Sequence, residues 1–331
     1  MSLRPDSLWS PDPSANDDVA RLERLLQVYR HVPAEGVVWT PVRRTPRRRW
    51  RLPVGIAAMM ATAAMLLVAA WLPWRLAWSD GAAWRVSGVA RIDALPVGGA
   101  LATAADEHAR IDVARIGSIE VSPGSRVTLL ETRAGRHRIA LDSGHIRARI
   151  WAPPGYFGVL GAASEVVDLG CEFDLWTSAD GRGRMSVRSG WVLHSVGGQD
   201  TLVPAGYDIG FEALRAGIPR SIAASAQFGA AVDRIDVQLA RGLRDADAER
   251  RVATLATAAD AVTLLSLLTR YPALADGPLY PRLATLLEVP ATDARHRAAW
   301  AAGSAHAIDA WWDRVPRPPK QWWRHWRDAL G

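Results

Sequence analysis

The run Leu52 to Trp74 reads LPVGIAAMMATAAMLLVAAWLPW, 23 residues without one ionisable side chain. A helix rises about 1.5 Å per residue, so this length matches the ~30 Å hydrocarbon core of a bilayer. Arg43, Arg44, Arg47, Arg48, Arg49 and Arg51 crowd its N-terminal flank, whereas Arg75 on the far side is soon followed by Asp80. That asymmetry predicts a single membrane span with the N-terminus in the cytoplasm and the rest of the chain outside. Trp50, Trp71, Trp74 and Trp78 stand near the two ends, where amphipathic rings favour the headgroup region. A cleaved signal peptide and a fully buried soluble helix are the competing readings. The first has a shorter apolar core and the second is seldom so long without a charge.

Composition fits one anchor on a globular exterior, with 22% charged and 49% hydrophobic residues in a chain of 331. Lys320 is the only lysine, which removes any Gly-Lys phosphate loop. The remaining basic residues are arginines that mix with acidic ones outside the membrane flank, so the net charge of +6 predicts no nucleic-acid partner. Cys171 is the only cysteine and forms no intramolecular disulfide. It reads as a buried small hydrophobe or, alternatively, as a sensor thiol.

Before the apolar run, Asp17 to Arg30 has helical periodicity, with Val19, Leu22, Leu25, Leu26 and Tyr29 at steps of three and four. Val19, Leu22, Leu26 and Tyr29 form a candidate cytoplasmic docking face. A frayed tail is the other reading, because one helix of this length is marginal alone in water.

From about Arg115 the pattern turns to strands. Glycine turns recur at Gly124, Gly135, Gly144, Gly155, Gly170, Gly181, Gly190, Gly198 and Gly206, mostly about 8 to 11 residues apart, the spacing of an all-β sandwich or roll. Between them apolar residues alternate, as in Val127/Leu129, Ile139/Leu141, Ile146/Ala148/Ile150 and Met185/Val187, which predicts one buried and one wetted face.

The same stretch resembles the FecR-type periplasmic domain of bacterial transmembrane regulators. The resemblance is carried by IGSIEVSPGSRVTL (Ile116 to Leu129), RIALDSGHIRARI (Arg138 to Ile150), YFGVLGAASEVVDLGCEFDL (Tyr156 to Leu175), MSVRSGWVLHS (Met185 to Ser195) and TLVPAGYDI (Thr201 to Ile209). Cys171 stands where many members of that family have threonine. The resemblance implies a bacterial inner-membrane protein whose periplasmic domain binds a signal or an envelope protein and controls a cytoplasmic sigma factor. The alternative is a membrane-tethered scaffold that passes no signal inward. Gly55, Ala58 and Thr62 form a small-residue stripe compatible with a homodimer, and equally with chance in so alanine-rich a run.

Beyond Ser221 the period becomes helical, with Leu264, Leu267 and Leu268 on one face and Leu279, Leu283 and Leu286 on another. Trp300, Trp311, Trp312, Trp322, Trp323 and Trp326 follow at helical offsets. They read as core, or, for Trp311, Trp312, Trp322, Trp323 and Trp326, as an aromatic contact surface. No H-E-x-x-H, G-x-S-x-G or C-x-x-C occurs, so neither an enzyme, a cofactor nor a metal site is predicted. His108, His137, His145 and His194 read as strand-surface residues, and carboxylates such as Glu131, Glu165, Asp168, Glu172 and Asp174 pair, if at all, only in space.

The expected fold class is therefore multidomain. A cytoplasmic tail (1–51), one transmembrane helix (52–74) and a membrane-proximal connection (75–114) precede an all-β FecR-like sandwich or roll (115–211) and a C-terminal all-α helical-hairpin domain (221–331).

Overall fold

The computed structural model describes residues 54–162, 164–289 and 294–315, and within its first helix the side chains of 54–61, Ala64 and Val68 lie outside the description. The chain divides into two units, Met1–Thr62 and Ala63–Gly331. Helix α1 (Val54–Leu76) is built from Ala, Met and Leu, which lose little side-chain freedom in a helix, and ends in a turn that contains Pro73 and Arg75. Among the described residues no helix is long and apolar enough to cross a membrane. The expected span Leu52–Trp74 is corrected accordingly.

Among the described residues sixteen strands follow: β1 (Trp84–Ser87), β2 (Ala94–Leu95), β3 (Ala100–Ala102), β4 (Ala109–Val113), β5 (Gly117–Val121), β6 (Arg126–Arg133), β7 (Arg136–Ile150), β8 (Phe157–Leu160), β9 (Ser164–Asp168), β10 (Glu172–Thr177), β11 (Gly183–Ser189), β12 (Trp191–Val196), β13 (Gln199–Pro204), β14 (Tyr207–Glu212), β15 (Arg215–Ala216) and β16 (Arg220–Ser221). They form one large mixed sheet in two halves. The first half runs β1-β4-β5-β7-β10-β11-β14, with β15 and β16 on the edge of β14, all antiparallel. The second runs β3-β6-β7-β8-β9-β12-β13, in which β7 and β8 are parallel.

Strand β7 belongs to both halves. Residues up to Ser143 pair with β6 and β8, and residues from Gly144 onward pair with β5 and β10. The change of partners falls on Gly144, whose φ of +104° is outside the range of ordinary L-residues. A Cβ there would lie 2.5 Å from the Ser125 Cα. Ser125 fastens the crossing point, its Oγ accepting from the His145 N–H at 2.9 Å and donating to the His145 carbonyl at 3.2 Å.

Two cores result. Trp84, Ile111, Ile119, Val127, Leu129, Ile139, Leu141, Ile146, Phe173 and Met185 fill the space between the halves. The second core lies on the other side of β9, β12 and β13. There Val167, Leu193 and Leu202 meet α2 (Ala226–Ala240), α3 (Ala246–Leu255), α4 (Ala261–Arg270), α5 (Leu279–Leu286), α6 (Ala294–Ala301) and α7 (Ala305–Trp312). The alternation in these three strands is between two cores rather than between core and water: Val166, Val192 and Val203 face the first, and Val167, Leu193 and Leu202 the second. The helices thus share a core with the sheet, and the expected class of span, separate all-β domain and separate all-α domain gives way to one large mixed sheet with a helical layer on it. The region 75–114, expected as a connection, supplies β1 to β4.

Local signals start the helices where the sheet ends. The Ser225 hydroxyl caps α2 through the Phe228 N–H, and the Asp245 carboxylate caps α3 through the Asp247 and Ala248 N–H groups. Residues 261–268 of α4 are buried all round, and Trp300 donates from its indole to the Leu268 carbonyl at 3.2 Å.

Gly144→Ala should cost roughly 2–5 kcal/mol, combining a strained φ with a forced shift of Ser125. Urea denaturation of the whole chain measures it. A loss no larger than that of Gly206→Ala, where a Cβ meets nothing within 4 Å, would contradict the crossing-point role.

Candidate functional site

The described residues leave some predicted positions aside: Val19, Leu22, Leu26 and Tyr29, the whole Asp17–Arg30 segment, and Trp322, Trp323 and Trp326 lie outside them. Trp311 and Trp312 are buried in the helical core, where the Trp311 ring lies 5.1 Å from that of Trp300 and 4.5 Å from that of Tyr280. The Trp312 indole donates to the Thr269 hydroxyl at 2.9 Å.

Cys171 is buried in the turn that carries the chain from β9 to β10. The Asp168 carboxylate organises that turn, accepting from the Cys171 N–H at 2.9 Å, the Gly170 N–H at 3.1 Å and the Cys171 thiol. Burial pushes the Asp168 carboxyl up to about 7 against the pull of these hydrogen bonds, and burial with the neighbouring carboxylate pushes the thiol up as well. A buried thiol with a raised pKa is a poor nucleophile. Gly190 closes over the turn, since a Cβ there would meet the Gly170 carbonyl oxygen at 2.2 Å.

The most concentrated polar geometry lies on the first half of the sheet, where β5, β7 and β10 run side by side. Their pairing sets His145 of β7 opposite Trp176 of β10, and Asp174, two residues along β10 and so on the same face, opposite Arg147. The Asp174 carboxylate is buried, with 1% of its side chain exposed, and accepts from His145 Nε2 at 3.0 Å, Arg147 Nε at 3.0 Å and Arg188 Nε. Burial alone would raise this carboxyl, but the hydrogen bonds from Arg188, Arg147 and His145 outweigh it and hold it below its ordinary value. An ionised carboxylate only accepts, so the imidazole proton sits on Nε2. His145 Nδ1 lies 2.7 Å from Ser122 Oγ, a contact in which a neutral imidazole accepts from the hydroxyl. Trp176 stacks on the His145 ring at 4.4 Å and 7°, fixing its plane. Ser122, His145 and Arg147 face a cleft of about 460 Å³ that Arg110, His108 and Glu120 complete.

A second polar cluster ties the helical layer to the sheet. Arg270, at the end of α4, donates to the carbonyls of Ala216 and Gly217 at 2.7 and 2.8 Å and lies 3.6 Å from Asp236 of α2. Arg215 of β15 pairs with the same Asp236, which also accepts from the Tyr271 hydroxyl at 2.8 Å. Beside this cluster His194 of β12 is fully buried, neither ring nitrogen has a partner, and its ring lies 4.7 Å from that of Phe211. Burial, with Arg270 nearby, pushes its pKa down to about 3, while burial and the adjacent Arg138 push His137 down to about 4.

Sequence reading named His145 and Asp174 separately and missed that they meet. They are 29 residues apart, and only the antiparallel register of β7 and β10 joins them. Ser122 carried no signal, because the adjacent Pro123-Gly124 reads as an ordinary turn.

No family model and no curated protein matches the chain. Among solved structures, two crystal structures of a candidate anti-sigma factor from Parabacteroides distasonis are similar in part. The structure at 1.65 Å shares 15% identity with a TM-score of 0.34, covering 40% of this chain and 63% of that one. The structure at 2.50 Å shares 14% identity with a TM-score of 0.33, covering 40% and 62%. The chain thus spans less than two thirds of the length of these structural neighbours.

Two outcomes follow from the buried groups. An imidazole held low in the fold but titrating near 6.5 when unfolded takes up its proton only on unfolding. The stability that His194 contributes is therefore present above pH 6.5 and is lost as pH falls toward 3. His194→Leu should melt no lower than wild type at pH 7, since it removes two unsatisfied nitrogens, and should lose less stability between pH 6.5 and 4.5 in thermal denaturation. Cys171 should resist Ellman's reagent in the folded chain and react in urea. Fast labelling of the native protein would contradict its burial.

Proposed function

We propose that the chain is a regulatory binding protein whose β part is of the FecR type and whose target is a sigma factor, engaged through the segment that carries Val19, Leu22, Leu26 and Tyr29. The observation that carries this reading is the placement of the FecR-like run. Its elements fall in order on β5, β6, β7, β8, β9, β10, β11, β12, β13 and β14. Gly144, Gly170, Gly190 and Gly206, the glycines of those elements, each have positive φ. Single glycines are common in turns; here the stretch that carries the resemblance is a succession of strands turned on glycines of positive φ, which supports a β domain of that kind.

Within this reading the sheet and its helical layer form the receiving part. The Asp236–Arg270 cluster makes them respond as one body, because separating them strands a buried charge, at a cost of about 3–5 kcal/mol for a broken buried pair. A partner on the sheet shifts the target's affinity only by binding two states of the chain unequally.

Co-expression of the full chain with sigma factors encoded in the same genome tests the proposal. The expected result is a stoichiometric complex with one of them, weakened at least about tenfold by Leu22→Glu combined with Leu26→Glu, a pair that desolvates poorly at an apolar interface. Absence of any complex, or one indifferent to the double substitution, rejects the assignment.

A further inference from the structure

The Ser122–His145–Asp174 row has the connectivity of a hydrolytic relay, and nothing in the regulatory reading uses it. Three observations set it apart from an ordinary surface hydrogen-bond chain. The carboxylate at its far end is buried and kept ionised by two arginines, so it fixes both the tautomer and the plane of the imidazole. The hydroxyl at its near end lies 2.7 Å from Nδ1, the ring nitrogen turned away from the carboxylate. The hydroxyl and the imidazole both line an open cleft that also holds the Arg110 and Arg147 side chains.

We propose that Ser122 is a nucleophile and His145 its general base, acting on a small carboxylic ester bound in this cleft. Asp174 is a positioning residue that acts through His145. Ser122 Oγ forms a bond to the ester carbonyl carbon as its proton passes to His145 Nδ1. The C–O bond to the alcohol then breaks, and the alcohol leaves with that proton. Water, deprotonated by the same nitrogen, attacks the acyl-serine, releasing the acid and returning the proton to Ser122. The roles of the ring nitrogens are reversed relative to the common serine-hydrolase arrangement, with Nδ1 facing the serine and Nε2 the carboxylate. Either nitrogen of a neutral imidazole serves as base once the other is protonated. Developing negative charge on the carbonyl oxygen is met by the guanidinium groups in the cleft, since the Ser122 N–H is already committed to the His145 carbonyl at 3.0 Å.

The test is phosphonylation of the full chain by a fluorophosphonate probe, with the modified residue mapped by mass spectrometry. In the native protein Ser122 should be labelled, with loss of fluoride. Labelling should vanish in Ser122→Ala, fall by about a hundredfold in His145→Gln, and disappear for wild type in urea. The rate should rise with pH as a single group deprotonates, and Asp174→Asn should move the midpoint of that rise, a change a purely structural carboxylate would not produce. An unlabelled Ser122 in the native wild type overturns the proposal. Labelling that survives urea does so too, as does a rate unchanged in folded His145→Gln. The wild-type and urea arms stand even if a variant fails to fold.

Discussion

The exchange of partners along β7 is the constraint on which the rest of the sheet depends. One strand of 15 residues pairs with β6 and β8 over its first part and with β5 and β10 over its second. Both halves inherit their register from it, and the first core exists because the bend folds one half over the other. A one-residue slip in such a strand would reverse every side chain on it. Gly144 supplies the bend, and Ser125 holds it through two hydrogen bonds to the backbone of His145. The residue that follows the bend is thus the histidine of the polar row, so the device that shapes the sheet also places its base.

Much of this was legible in the sequence wherever the physics is local. The alternation of Val127/Leu129 and Ile139/Leu141, the glycine turns and the leucine spacing of α4 all report a periodicity that one element creates by itself. The strands β1 to β4 were not legible because they have two to five residues each, too few for a period of two to declare itself. The helical layer was legible as helices but not as part of the same body. Its attachment is written in the paired apolar residues Val166-Val167, Val192-Leu193 and Leu202-Val203, which mark strands buried on both faces. The reading of Leu52–Trp74 as a span rested on the length of the uncharged run and the arginines at its flank, and no helix among the described residues is long and apolar enough to cross a membrane.

The polar interior divides into groups with opposite electrostatic solutions. Asp174 is buried and remains charged because three donors surround it, whereas Asp168 is buried among backbone donors and a thiol and is driven toward its neutral form. His194 has neither kind of compensation and stays neutral. One type of side chain therefore behaves differently according to what the strand register places beside it, which is why charged residues read singly from the sequence indicated so little about the site.

The double burial of β9, β12 and β13 also bears on how such a chain can change over evolutionary time. A sheet with one wet face can be passed between proteins as a self-sufficient module, because water already satisfies the face it exposes. Here Val167, Leu193 and Leu202 would be left bare if the helices were lost, and the helices would lose the floor that covers Phe228, Val232 and Leu264. The two layers are bound to travel together, and recombination that preserves folding has to break the chain outside the stretch they share.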